Sequence, residues 1–178
     1  MRRMLFAVVT SALLMASGSA AEKGVSVELA GLKSTTPADW KEETPSNSMR
    51  MAQFKLPGEA KDGKDSAELA LFVFPGGSGT LDANLKRQLA KFVEEGRKDK
   101  TDKIKIGDIE AAYQDVTGTF VKKAFPMAKE GTPIENYRQL YVVFEAKDGK
   151  QYYMTLLGPG KTVEKHKKSF DEWLKNFK

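Results

Sequence analysis

The sequence predicts an α+β fold: an antiparallel sheet with two amphipathic helices packed on it. Three observations carry this. Apolar runs with strand spacing are interrupted by two stretches with helical spacing. An Asp-Gly pair at 148–149 sits between two alternating apolar runs, a strong hairpin signal because both turn residues tolerate positive φ. The order strand, turn, strand, helix also occurs twice, marked by AKDGK at 60–64 and again at 146–150. Strands and helices grouped in this way build a sheet layer covered by helices.

The elements follow in order. Residues 25–35 are short and mixed and predict two edge strands. Pro37, Ala38 and Asp39 turn the chain into Trp40. Residues 49–56 predict a strand with Arg50, Ala52, Phe54 and Leu56 on one face. A polar loop covers 57–65. Residues 67–74 are apolar on both faces except at Glu68, as in a central strand. Pro75, Gly76, Gly77 and Gly79 end that strand. Thr80 is placed to cap the next helix, and Asp82 suits its positive end. Leu81, Leu85, Leu89, Phe92 and Val93 recur at helical spacing and predict one buried stripe, which Gly96 stops. Ile104 and Ile106 alternate with Lys103 and Lys105, and Gly107-Asp108 turns the chain into a strand over 110–121. Residues 122–136 read as a long loop. Strands over 138–146 and 152–157 flank the Asp148-Gly149 turn. A last helix buries Val163, Phe170, Trp173, Leu174 and Phe177.

The first residues predict the compartment. Arg2 and Arg3 precede an uncharged, mostly apolar run from 5 to 16, and small residues fill 17–21. This is the order of a secretory signal peptide cleaved after Ala20 or Ala21. The run is about 12 residues, where a spanning helix needs roughly 20, so the segment predicts removal rather than anchoring. The expected organisation is a signal peptide over 1–21 and one secreted or periplasmic domain over 22–178, with no membrane span after cleavage. The chain has no cysteine, which excludes disulfides, thiolate metal sites, a cysteine nucleophile and a lipoprotein anchor. The net charge is +5, of which Arg2 and Arg3 supply two. The remaining lysines are interspersed with acids, the pattern of a solvated surface and not of a nucleic-acid binder.

LKSTTPADW at 32–40 resembles the opening of PsbP-like and Mog1-like domains, and the order of strands, helix, strands and C-terminal helix is similar over most of 25–178. The resemblance implies the same α+β sandwich. It also implies an extracytoplasmic protein that binds or assembles with other proteins, mostly without catalysis. It carries over no functional residue. The acid and histidine metal positions of some members have no counterpart in a chain with one histidine.

The chemistry-bearing patterns are incomplete. Gly160, Lys161 and Thr162 follow a strand at a helix start, the setting of a phosphate-binding loop, but Thr155 stands where that loop needs glycine and Pro159 removes a donor. They read as a helix cap with a surface lysine, or as a weak anion site. Gly76-Gly77-Ser78-Gly79-Thr80 approaches a nucleophile elbow but lacks its final glycine. A hydroxyl nucleophile also needs a base. The single histidine, His166, lies among Lys165, Lys167 and Lys168 on a helix. Glu59, Asp62 and Asp65 share a loop without the spacing of a calcium loop. No cofactor or metal is expected. The 122–136 segment groups Phe125, Pro126 and Met127, which either form a contact arm or lid over a groove, or fold back as a core plug.

The expectation is a non-catalytic binding or assembly domain with an extracytoplasmic protein partner. The alternatives are a small-ligand or anion binder, with anions at Thr80 and at Gly160, Lys161 and Thr162, and a carboxylate-dependent hydrolase.

Overall fold

The structure is a computed structural model and describes residues 24–76, 78–125 and 128–178. The expected signal peptide, together with Gly77, Pro126 and Met127, lies outside the described residues. The elements are β1 (Ser26–Leu29), β2 (Leu32–Thr35), β3 (Lys41–Glu43), β4 (Arg50–Leu56), β5 (Ala67–Phe74), α1 (Leu81–Leu89), β6 (Lys98–Ile106), β7 (Ile109–Lys122), β8 (Thr132–Glu145), β9 (Gln151–Pro159) and α2 (Gly160–Lys175).

Seven antiparallel strands form one sheet in the order β3-β4-β5-β9-β8-β7-β6, and β1 and β2 form a separate hairpin. The fold class read from the sequence holds. The apolar pattern of β5, broken only at Glu68, is explained by its place between β4 and β9, with side chains covered on both faces. On one face Leu56, Leu69, Leu71, Leu140, Met154 and Leu156 pack with Val163, Phe170, Trp173 and Leu174 of α2. On the other face Ala112, Tyr141, Val143 and Tyr153 pack with Phe72, Phe74 and Leu85 of α1. The two helices therefore cover opposite faces of one sheet.

The repeated AKDGK segments make the same turn. In each the Gly amide donates to the Ala carbonyl, Gly63 to Ala60 at 3.0 Å and Gly149 to Ala146 at 2.9 Å. Both glycines have positive φ, 68° and 78°. In each the Lys amide donates to the Asp carboxylate, and the Lys ammonium pairs with its other oxygen at 2.7 Å. The lysine side-chain hydrogen bond holds the Asp62 and Asp148 carboxyls below their ordinary range. Shared turn chemistry thus accounts for the five-residue match, and each copy leads into a strand and then a helix.

The amino-terminal part closes on the last helix. Trp40 is buried against Phe170 and Trp173, with ring centroids at 6.3 and 5.5 Å. The Ser34 hydroxyl donates to the Trp173 carbonyl at 2.9 Å, and Lys33 and Lys178 exchange backbone hydrogen bonds at 2.9 and 3.2 Å.

Four local expectations are corrected. A bulge between Arg50 and Ala52 turns Arg50 away from Phe54 and places it over the Phe72 ring, on the opposite face. Helix α1 ends at Leu89, capped by the Ala90 amide, so Phe92 and Val93 are not helical. Its buried residues are Asn84 and Gln88, and Leu81 is 49% exposed. The seat of α1 is polar: the Ser78 hydroxyl donates to the Tyr153 hydroxyl at 2.8 Å, and the Asn84 amide reaches the same oxygen at 3.5 Å. Thr80 caps α1, accepting the Ala83 amide at 3.2 Å, but Thr162 caps nothing. It lies inside α2, where its hydroxyl donates to the Asp65 carbonyl at 2.6 Å and ties down the 57–65 loop. Finally, β7 takes in Lys122 and β8 takes in 132–136, which shortens the expected loop to 123–131.

Candidate functional site

β7 and β8 outrun their neighbours. Strand β6 pairs with β7 as far as Lys98 opposite Thr117, and β9 pairs with β8 as far as Pro159 opposite Tyr137. Beyond those points β7 and β8 continue as a two-stranded arm, with Phe120 opposite Ile134, Val121 opposite Pro133 and Lys122 opposite Thr132. A bulge between Gly118 and Phe120 bends the ladder where the arm begins, and Asn136 takes up the extra residue with φ 57°. Residues 91–93 brace the β7 side. The Val93 amide donates to Thr119 at 2.9 Å, and the Val121 amide donates to Lys91 at 2.8 Å. Phe120 meets Phe92 edge-on and stacks on Tyr137, with centroids at 5.5 and 5.7 Å. The base of the arm is thus fixed by backbone pairing and three aromatic rings. Its loop carries Phe125, which is 61% exposed.

A cleft of about 1010 Å³ runs across the base of the arm to the start of α2. Gly118, Thr119, Asn136 and Tyr137 form one wall, and Gly160, Lys161 and Thr162 form another. The chains approach closely there: a Cβ on Gly160 would stand 2.9 Å from the Asn136 carbonyl oxygen. Arg138 organises the cleft floor. Its guanidinium grips Asp115 of β7 with two hydrogen bonds, at 2.8 and 2.6 Å, and also pairs with Glu164 of α2. The Asp115 hydrogen bonds raise the pKa of Arg138 further above its ordinary range. One side chain therefore joins both strands at the arm base to the last helix. The walls also carry Glu59, Asp65, Glu95 and Glu135 beside Lys98, Lys161 and Lys165.

Solved structures share the fold. The chain superposes on the solution structure of cyanobacterial PsbP (CyanoP) from Synechocystis sp. PCC 6803 with a TM-score of 0.55 and 12% identity, over 91% of this chain and 95% of that one. The fold is PsbP-like. The crystal structure of PA94 from Pseudomonas aeruginosa, a protein of unknown function described as a putative regulator, gives a TM-score of 0.47 and 17% identity, over 85% of this chain and 94% of that one. No family model matches the chain, and no curated protein matches it.

Within the PsbP-like fold the expected site residues fall in three places. Phe125 is at the arm loop, with Pro126 and Met127 outside the described residues. Gly160, Lys161 and Thr162 line the cleft at the arm base. Thr80 lines a separate cleft of about 320 Å³ with Asn84, Val143 and Gln151. The two helix starts are therefore not parts of one site. Ser78 is a member of the polar seat of α1, where its backbone amide also approaches Gln151 at 3.2 Å. His166 is buried on the inner side of α2, its Nε2 at 2.9 Å from the Pro57 carbonyl oxygen and its Nδ1 at 3.8 Å from Asp39. In the 57–65 loop the Asp65 carboxylate accepts the Glu59 and Ala60 amides, at 2.8 and 3.0 Å, and this lowers its pKa. Among the described residues no three histidine or carboxylate side chains are placed to hold a metal, and no helix is long and apolar enough to cross a membrane.

Sequence reasoning missed Arg138, Asp115 and Tyr137. Their partnership depends on the pairing of Thr117 with Arg138 and of Gly118 with Tyr137, a register with no local sequence mark.

Proposed function

We propose that this chain is an extracytoplasmic, non-catalytic binding or assembly domain that engages a protein partner through the β7–β8 arm. One observation carries the reading: a phenylalanine that is 61% exposed lies on the loop of a hairpin extending past its neighbouring strands. An apolar side chain held out from a braced ladder contributes little to its own fold. Buried in a partner it would contribute about 1.5–3 kcal/mol. The rigid base favours binding, because little ordering remains to be done when contact is made. The resemblance to extracytoplasmic PsbP-like and Mog1-like domains that assemble with other proteins supports the same reading. The anion alternative is weakened because the Thr162 hydroxyl is committed to Asp65 and carboxylates line the cleft.

Cross-linking in the native envelope tests the proposal. Phe125→Ser should remove the partner adduct while thermal stability changes by less than about 0.5 kcal/mol, as for an exposed site. An unchanged adduct would refute the arm as the contact surface, and so would cooperative unfolding caused by that one change. The address has its own test. Full-length chain produced in a secreting bacterium should be recovered from the envelope fraction beginning at Ala21 or Glu22, as read by intact mass. Uncleaved protein confined to the cytosol would end the extracytoplasmic reading.

A further inference from the structure

The two edges of the sheet are treated differently. β3 closes one edge with three residues, whereas β6 closes the other with nine. Short edge strands blunt further pairing, while long regular ones invite it. β6 contains no proline, and its pairing with β7 runs without a register shift from Lys98 to Ile106. Residues 98–103 are all exposed, so no element covers them.

Lysine on an edge usually repels a second strand. The edge of β6 does not carry one sign: it reads Lys98, Asp99, Lys100, Thr101, Asp102, Lys103. Two copies joined antiparallel about a two-fold axis normal to the sheet must place one residue opposite its own copy. With Thr101 on the axis, Lys100 faces Asp102 of the second copy and Asp99 faces Lys103. Each pairing occurs twice by symmetry. Lys98 then faces Ile104, and like charges meet only at the ends of the ladder, where Lys105 faces Arg97 just outside the strand. Moving the axis one residue either way puts Lys100 against Lys100 or Asp102 against Asp102. Directly opposed unlike charges stabilise a ladder and like charges oppose it, so one register is favoured and its neighbours are disfavoured.

We propose that β6 is a homodimerisation edge, at which a second copy of this chain pairs antiparallel with Thr101 on the two-fold axis and extends the sheet across both copies. In the single chain these charges have local partners: Lys100 with Asp102 at 2.8 Å, Arg97 with Asp99 at 3.5 Å, and Lys103 with Glu110 at 2.8 Å. Pairing exchanges some of these exposed contacts for cross-strand ones and supplies backbone partners to the open edge. The dimer is accordingly sensitive to salt.

Sedimentation of residues 22–178 in low salt, from roughly 10 μM to roughly 1 mM, should show a reversible monomer–dimer equilibrium. Asp102→Lys should weaken it at least ten-fold, and the exchange Lys100→Asp with Asp102→Lys should restore it, because that exchange keeps the charges complementary. Because the chain has no cysteine, Thr101→Cys offers an independent reading. Mild oxidation should convert it to a covalent dimer, while Lys105→Cys, far from the axis, should remain monomeric. A monomer throughout the concentration range would overturn the proposal. So would a dimer indifferent to Asp102→Lys, or equal cross-linking of the two cysteine variants.

Discussion

Replacing Arg138 with alanine should lower the unfolding free energy by about 3 kcal/mol, because it leaves Asp115 without its partner in a half-buried site. The side chains of Arg138 and Asp115 are 14% and 22% exposed, and two hydrogen bonds join them. Removing one partner from such a pair costs more than the pair contributes, because the surviving charge keeps its desolvation penalty. Glu164, exposed and at the cleft rim, accounts for little of the effect. Asp115→Ala should cost a similar amount, and the double variant should cost clearly less than the sum, with a coupling of at least about 1 kcal/mol. Denaturant titration of the four proteins measures this, and strictly additive losses would show that the pair contributes no coupling. Hydrogen exchange in Arg138→Ala should rise first at the arm base, where that residue ties both strands to α2.

Lys91→Met should act in the opposite direction and stabilise the protein by about 2 kcal/mol at pH 7. Burial pushes the Lys91 ammonium down to about 8, and the nearby Arg87 charge adds to the effect. A lysine with a lowered folded pKa binds its proton less tightly when folded than when unfolded. Its charged form therefore destabilises the fold below pH 8, and this penalty fades as pH rises toward the unfolded value. Wild-type stability should climb between about pH 8 and 9.5, and the methionine variant should lose that slope. The window stops there because Tyr113 and Tyr141, raised by burial, begin to favour the folded state less once unfolded tyrosines ionise near pH 10. Equal slopes in the two proteins would show that the amine is solvated.

The legible parts of the fold are those where burial imposes a pattern. β5 reads as central because side chains on both faces are covered, and α2 reads correctly because its apolar residues meet an apolar sheet face. α1 misleads because its seat includes the polar Ser78, Asn84 and Tyr153 network, so that Leu85 packs on the sheet while Leu81 faces solvent. The outer part of β8 carries Thr132, Pro133, Glu135 and Asn136, and much of that stretch is paired within the arm. Without a core to face, nothing demands alternation, and the sequence there looks like a loop. The first part of β6, residues 98–102, is hidden for the same reason at the sheet edge. Of the candidate site, Phe125 is visible as an apolar residue among lysines. The Arg138–Asp115 grip needs the register between two strands, which no local pattern encodes.

The stitching of β2 and Trp40 to the last helix has a consequence for how the molecule is made. Trp40 finds its ring partners at Phe170 and Trp173, and Lys33 exchanges hydrogen bonds with Lys178. A chain issuing amino end first from a ribosome or a translocation channel therefore cannot complete this core until nearly all of it has emerged. Contacts so distant in sequence form late and slow the folding. The core around Trp40 closes only once the last helix is free.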